Sequence, residues 1–376
     1  MAILYLTEQQ AWVALEGDCL IVRIPERDEQ GKPTGKRERK MTVPLFKVEE
    51  VVVYGEITIT TPALTRLLGA RVPVTYLGKH GNYIGSLNPI LTKNSTLRLA
   101  QHRAYADGTC RHSIAQRFVT GKLRNMRTIL MRYARQYPDS HINEQVESIK
   151  HCISAAEQTQ WKNNPAAIEE HEIDAEPHNA PENIVIADDR MHGLGTLLGC
   201  EGAGSAAYFT VFSKLIKCNW PHGFSKRVRR PPTDPVNALL SYGYVILTSQ
   251  VASILAGVGF DPYIGYLHAS RYGKPALALD LMEEFRPIIV DSVVLSLLNN
   301  RQLSQSDFIL ELNSYRMTES TRRLFLERFE ERMQEVITHP VFEYKVAYRR
   351  CIELQARLLG KYLTGEIAEY TPFIVR

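Results

Sequence analysis

The stretch Gly265–Pro287, GYLHASRYGKPALALDLMEEFRP, sets one histidine a short loop ahead of a helix start dense in carboxylates. His268 precedes a turn around Tyr272-Gly273, Pro275 marks the helix start, and Asp280, Glu283 and Glu284 follow. Asp280 and Glu283 stand at i and i+3 on one helix face. The positive end of the helix dipole just after Pro275 favours their charge. Glu284 points about a third of a turn away. Three basic side chains, Arg271, Lys274 and Arg286, lie in the same span. Carboxylates and an imidazole bind a divalent cation, and arginines and lysines bind phosphate. The segment therefore points to metal-assisted chemistry on a phosphodiester. A mixed N/O donor set suits Mn2+, and tolerates Mg2+, better than it suits structural zinc or calcium. The competing explanation is a satisfied structural histidine beside acids that only start a helix.

A further acid lies upstream. Glu201 sits in GTLLGCEGAGSAAYF, Gly195–Phe209, a helix rich in small residues. Gly199, Gly202, Ala203 and Gly204 allow a bulky partner to come close. A glutamate in so apolar a run is expensive to bury unless it is paired or metal-bound; a core salt bridge explains it as well as a metal does. Between the two motifs, Lys226, Arg227, Arg229 and Arg230 precede PPTDPVNALLSYGY, in which Thr233 or Asp234 caps the following helix. Tyr208, Tyr242, Tyr244 and Tyr272 are candidates for stacking near phosphates, although core packing accounts for each taken singly. No serine–histidine–acid spacing and no phosphate-cradling glycine loop competes for the chemistry.

The chain reads as α+β, with a small β-rich N-terminal domain (1–92) and a larger all-α catalytic domain (93–376). Its 376 residues suit two domains. Ala2–Leu6, Ala11–Glu16, Cys19–Ile24, Val48–Tyr54, Ile57–Thr60 and Val72–Leu77 read as strands, rich in Val, Ile, Thr and Tyr. Glu26–Lys40, nearly all charge, reads as an exposed hairpin loop or arm. Thr61–Gly69 has the cap, the proline and the glycine stop of one helix. After Pro89 the period becomes 3.6: Leu97–Tyr137 with a break near Asp107-Gly108, Ile142–Gln160, then helices near 190–216, 235–257, 277–299, 319–337 and 340–362. Asn163–Ile184 has prolines, acids and no clear period, and reads as a linker or insertion.

The formal charge of +4 forces no partner, but its distribution is uneven. Ten Lys/Arg and one acid lie between Lys93 and Arg135; twelve acids and two lysines lie between Asp139 and Asp189. The first block suits a polyanion, and the second would steer it away. Six scattered cysteines without a CxxC pair argue against a zinc knuckle and for free thiols in the cytoplasm. Met1–Leu6 lacks the basic start of a signal peptide. Pro235–Phe260 carries no charge and is long enough to cross a bilayer. Its polar residues and glycines fit a buried core helix better, so no membrane is expected.

Three segments together resemble a known family. LLGCEGAGSAAYF resembles a glutamate helix close to GxEGxxAxxYF, and RRPPTDPVNALLSYGYVIL resembles RPPxDPxNAxLxxGYxxL. LHASRYGKPALALDLMEEFRP is similar to LHxxRxGxxxLALDLMEEFRP almost residue for residue. These are motifs of the CRISPR-associated integrase, the metal-dependent DNA endonuclease–integrase of spacer acquisition in antiviral defence. The resemblance implies Glu201, His268 and Glu283 as Mn2+ or Mg2+ ligands, with Asp280 a catalytic acid beside them. It implies a homodimer formed through the β domain, and a small ferredoxin-like partner, the second CRISPR-associated protein. It implies double-stranded and branched DNA as substrate, with a 3′-hydroxyl attacking a phosphodiester at the repeat end. Lys93–Arg135 would join the DNA track, and Arg229, Arg230, Arg271, Lys274 and Arg286 would contact DNA. Two other functions fit the residues less well: a non-catalytic DNA-binding scaffold of the same complex, and a metal-dependent hydrolase of small phosphoesters.

Overall fold

A computed structural model describes residues 2–27, 33–78, 83–89, 94–161, 192–217, 223–228, 231–268 and 272–375. The chain divides into two units, Met1–Thr92 and Lys93–Arg376.

The first unit holds two four-stranded sheets. One is ordered β1-β5-β7-β8, built from β1 (Ala2–Leu6), β5 (Val48–Tyr54), β7 (Val74–Leu77) and β8 (Tyr83–Leu87). Its first three strands run parallel and β8 is antiparallel to β7. The other is ordered β4-β3-β2-β6, from β2 (Trp12–Glu16), β3 (Cys19–Arg27), β4 (Pro33–Pro44) and β6 (Thr58–Ile59). Alternating apolar residues of both sheets meet Ala63 and Leu67 of helix α1 (Thr61–Gly69), burying Leu6, Val13, Leu20, Val22, Val51, Val53 and Val74 in one core. In the charged stretch expected as an exposed hairpin loop or arm, the described residues extend β3 and β4 as an antiparallel ladder in which Lys40 pairs with Arg23 and Glu38 with Pro25. Backbone hydrogen bonds make that ladder, so an apolar face was not required and the alternation signal was missing.

The second unit is mostly helical. Helix α2 (Ser95–Ala106) ends where Asp107 caps α3 (Gly108–Gln136), accepting from the Thr109 and Cys110 amides. Asp139 caps α4 (Ser140–Gln158) in the same way. Helix α5 (His192–Thr210) carries Glu201. Helices α6 (Pro235–Val258), α7 (Ala276–Met282), α8 (Ser292–Asn299), α9 (Glu319–Gln334) and α10 (Tyr348–Leu363) complete it, and a π-helical turn at Pro287–Asp291 leads into α8. Two short antiparallel ladders, β9–β10 (Phe308–Glu311 with Ser314–Met317) and β11–β12 (Val336–Thr338 with Lys345–Ala347), lie among the helices. The last helix starts at Tyr348, not at Pro340, because residues 336–347 form the β11–β12 hairpin.

Two helices form the interior. Helix α6 is long and apolar enough to cross a membrane, yet Val236, Leu239, Leu240, Leu247, Val251 and Leu255 are buried within the unit, as expected for a core helix. Its N-terminus is capped by Asp234, which accepts from the Asn237 amide at 2.8 Å. Helix α3 is buried on most of its circumference and packs against α4 and α5. Of the basic block 93–135, Arg111 and Lys122 are buried. Arg117 pairs with Glu369, Arg124 with Glu157 and Arg127 with Glu147. Part of the block expected as a DNA track is thus turned inward or toward acids of the same unit, while Arg103, Arg132 and Arg135 are exposed. Cys19, Cys110, Cys152, Cys200 and Cys351 are free thiols. Asn163–Ile184 lies outside the described residues.

Behind the helices the C-terminal tail is tied to Glu284, which is fully buried. The Tyr370 hydroxyl donates to its carboxyl at 2.6 Å, the Phe373 amide at 2.7 Å and Gln355 Nε2 at 3.0 Å. Burial outweighs these donors and pushes the carboxyl up to about 8. A carboxyl raised in the fold contributes stability that is fully present below its ordinary pKa and is lost as pH rises through about 8. Between pH 5 and 8.5 the wild-type unfolding midpoint should therefore fall relative to that of Glu284→Gln, followed by urea titration at each pH. Parallel profiles would contradict the assignment.

Candidate metal centre

Asp280 is the anchor of the 265–268 loop. Its side chain is completely buried on α7. Oδ2 accepts from the amides of Tyr266 at 2.6 Å and Leu267 at 3.0 Å; Oδ1 accepts from the amide of His268 at 2.9 Å. Oδ1 also lies 2.7 Å from His268 Nδ1. With Nδ1 committed to a carboxylate, Nε2 is the ring atom left to offer an electron pair. The loop can come this close only at glycine: a Cβ on Gly265 would stand 2.7 Å from Asp280 Oδ2 and from the Ala276 carbonyl carbon.

Sequence reasoning placed Asp280 and Glu283 in the first helical turn, where the dipole would favour them. The structure places them later. Asp280 is in the second turn of α7, and Glu283 is the residue that ends the helix. Their charges are stabilised by specific partners, not by the helix N-terminus.

The partner of Glu283 is Lys122. This lysine sits mid-way along α3 with its side chain 1% exposed, and its Nζ lies 2.7 Å from Glu283 Oε2. The same ammonium donates to Glu201 Oε1 of α5, and Ser205 Oγ donates to that oxygen at 2.9 Å. One buried cation thus joins two carboxylates 82 positions apart in the chain (283 − 201). Arg286 Nη1 contacts Glu283 Oε1 at 3.3 Å. Burial alone would raise the Glu283 carboxyl, but the charges of Lys122, Arg286 and His268 overcome it and hold it down at about 2. Glu201 is lowered as well: burial and the Glu283 charge push it up, and Lys122 with Ser205 outweighs them.

Helix α5 reaches this point because Gly204 lies directly over Leu123; a side chain there would overlap the leucine. The small residues expected to admit a close partner do so at that position, whereas Gly195, Gly199 and Gly202 face open space.

Glu201 and Glu283 are therefore brought together, and the imidazole of His268 lies near enough to Glu283 to act on its charge. The Lys122 ammonium stands between the carboxylates, and among the described residues no three His, Cys, Asp or Glu donors stand at coordinating spacing. The donor chemistry fits a hard divalent cation: two carboxylates already share one positive charge, and Glu283 Oε2, though beside Lys122, has no aligned hydrogen-bond donor.

Other expected site residues fare differently. Arg286, expected on DNA, is buried, with its guanidinium 3.8 Å from the centre of the Tyr244 ring. Lys274 is partly exposed. Arg229, Arg230 and Arg271 lie outside the described residues. Tyr208, Tyr242 and Tyr244 are core residues, and the Tyr244 hydroxyl donates to Asp291 at 2.6 Å; Tyr272 is exposed. Lys122 was not singled out in the sequence. Its signal was there: a cation at a core position of the α3 stripe Ala115, Phe118, Val119, Met126, Ile129.

The close approach at Gly265 is testable. Gly265→Ala should cost about 1–3 kcal/mol in chemical unfolding, the range for forcing a methyl into a packed site. A midpoint equal to wild type would show that the Asp280–loop contact tolerates displacement.

The family described as CRISPR associated protein Cas1 matches residues 4–331. The chain is 36% identical over its full length to the CRISPR-associated endonuclease Cas1 3 of Thermus thermophilus, covering 98% of that protein. It is 35% identical over 99% of its length to the CRISPR-associated exonuclease Cas4/endonuclease Cas1 fusion of Geobacter sulfurreducens, of which it spans 60%. A solved casposase bound to its integration product has the same fold, with TM-score 0.78 at 22% identity, covering all of this chain and 95% of the casposase. By the extent of the family match and the identity to these relatives, the chain belongs to the Cas1 family.

Proposed function

We propose that this protein is a metal-dependent DNA endonuclease and integrase that inserts short DNA fragments into a CRISPR array. The observation that carries this reading is the convergence of Glu201 and Glu283 on a single buried cation beside an imidazole fixed by Asp280. Family membership and the endonuclease names of the curated relatives support it.

Glu201, Glu283 and Nε2 of His268 are the donors that would hold Mn2+ or Mg2+. Such an ion, when bound, neutralises a phosphate oxygen and lowers the pKa of the attacking hydroxyl. The protein's own share is positional. Asp280 fixes the imidazole by its Nδ1 hydrogen bond and fixes the loop through three amides. Arg286, braced between Glu283 and Tyr244, adds a fixed positive charge next to the carboxylates. The 3′-hydroxyl of an incoming duplex attacks a phosphodiester at the repeat end. One P–O bond forms as another breaks, with no covalent enzyme intermediate; water in place of the hydroxyl gives cleavage. The motif resemblance further supports a homodimer formed through the β unit, assembly with the small ferredoxin-like second CRISPR-associated protein, and a cytoplasmic location.

A non-catalytic DNA-binding scaffold is the second reading, favoured by the Lys122 ammonium between the carboxylates. Strand transfer separates the two. With branched or double-stranded DNA and Mn2+, His268→Ala and Glu201→Gln should each reduce product by about 10²-fold or more while DNA binding is kept. Asp280→Asn should cost about 10–100-fold, as loss of an orienting partner does. Undetectable product in wild type and variants alike would favour the scaffold, and product unchanged by the substitutions would contradict the assignment of these residues.

Lys274 is a described basic residue of the histidine loop that is partly exposed to solvent. Lys274→Ala should lower the slope of log affinity against log salt by about 1; an unaltered slope would remove it from the DNA path.

A further inference from the structure

The geometry points to Lys122 as a positioning residue that preassembles the site: its ammonium is a built-in counter-ion for Glu201 and Glu283 and competes with a divalent cation for the same two oxygens. This inference rests on the metal-centre reading above. It concerns a residue to which that reading gives no role in holding the metal or in the chemistry.

Three observations carry it. First, Lys122 is placed where only a paired charge is tolerable. It is 1% exposed, on the buried helix α3, between Gly121, which touches the tail at Pro372, and Leu123, which touches Gly204 of α5. A buried ammonium without anionic partners would be strongly unfavourable. Second, the ion pairs of its ammonium among the described residues are with two carboxylates, Glu201 Oε1 and Glu283 Oε2. Third, both carboxylate side chains are mostly withdrawn from solvent, at 18% and 7% exposed, and Lys122 is the cation that reaches both.

The consequence is a trade. In the cation-free protein Lys122 holds α5 and the end of α7 at one point, so the donors are already gathered when a metal arrives. The same hold makes a metal displace an ammonium from oxygens it already occupies, which weakens metal affinity. Removing the ammonium while keeping its stem should reverse both effects: a less stable cation-free protein and a tighter metal site.

The test uses the full chain as wild type, Lys122→Met, Glu201→Gln and the double variant Lys122→Met/Glu201→Gln. Thermal unfolding is followed in EDTA and across a titration of MnCl2, and Mn2+ affinity is measured by calorimetry. Lys122→Met should unfold about 5 °C or more below wild type in EDTA, recover most of that loss in Mn2+, and bind Mn2+ at least about 10-fold more tightly. Glu201→Gln should bind Mn2+ weakly.

The double variant keeps the test decisive if Lys122→Met does not fold. Cancelling one charge on each side should restore its cation-free stability. A double variant as unstable as Lys122→Met would make Lys122 a packing residue and overturn the proposal. So would a Lys122→Met protein as stable as wild type in EDTA, or one that binds Mn2+ no more tightly than wild type. Failure of the metal-centre reading looks different: no Mn2+ response in wild type or Lys122→Met, whatever their stabilities in EDTA.

Discussion

Two buried carboxylates that both stay ionised need a cation between them, and that requirement organises the helical unit. Glu201 arrives on α5 and Glu283 at the end of α7, with Lys122 of α3 between them. Each ionised group alone would be costly to bury. Together they form a network that holds only if all three helices are in register. The features around it follow from that need. Gly204 lets α5 close on Leu123, Arg286 adds a second positive charge on Glu283, and the Tyr244 ring covers the guanidinium.

Adjacent positions on the chain are tuned in opposite directions by this packing. Glu283 faces Lys122, Arg286 and His268 and is held at about 2, whereas Glu284, one residue on, faces the tail and is pushed to about 8. Both are buried, so exposure does not separate them; the presence of a cation does. Separation of neighbouring acids by environment is how a site assigns one carboxylate to charge chemistry and another to structure. Here the first points into the candidate centre. The second ties Tyr370, Gln355 and Phe373 behind it.

Much of this was legible from residue order. The strand-rich start, the shift to helical period after Pro89, the break near Asp107-Gly108, the cap offered by Thr233 or Asp234 and the core role of α6 all rest on local signals, and the structure carries them, with Asp234 as the cap. The fold of Pro33–Pro44 was not legible, because a ladder of charged residues shows no buried face. The start of α10 was misplaced because a proline suited to a first helical turn serves equally well beside a short hairpin. At the site, the residue types were readable but their partners were not. The acids were credited to a helix dipole, yet backbone amides hold Asp280 and a lysine from α3 holds Glu283. The basic block 93–135 was read as one surface. Helical packing divides it instead, sending Arg111 and Lys122 inward and pairing Arg117, Arg124 and Arg127 with acids. Long-range pairing of this kind depends on which helices meet, and a single sequence holds no record of that.

The central claim is that Glu201, Glu283 and His268 share one divalent cation at the point where Lys122 now joins the two acids. Anomalous diffraction from crystals grown with MnCl2 addresses it directly. The account predicts a manganese peak bonded to both carboxylates and to Nε2 of His268, with the Lys122 ammonium withdrawn from at least one of them. Manganese bound elsewhere, with Lys122 still seated between Glu201 and Glu283, would contradict it.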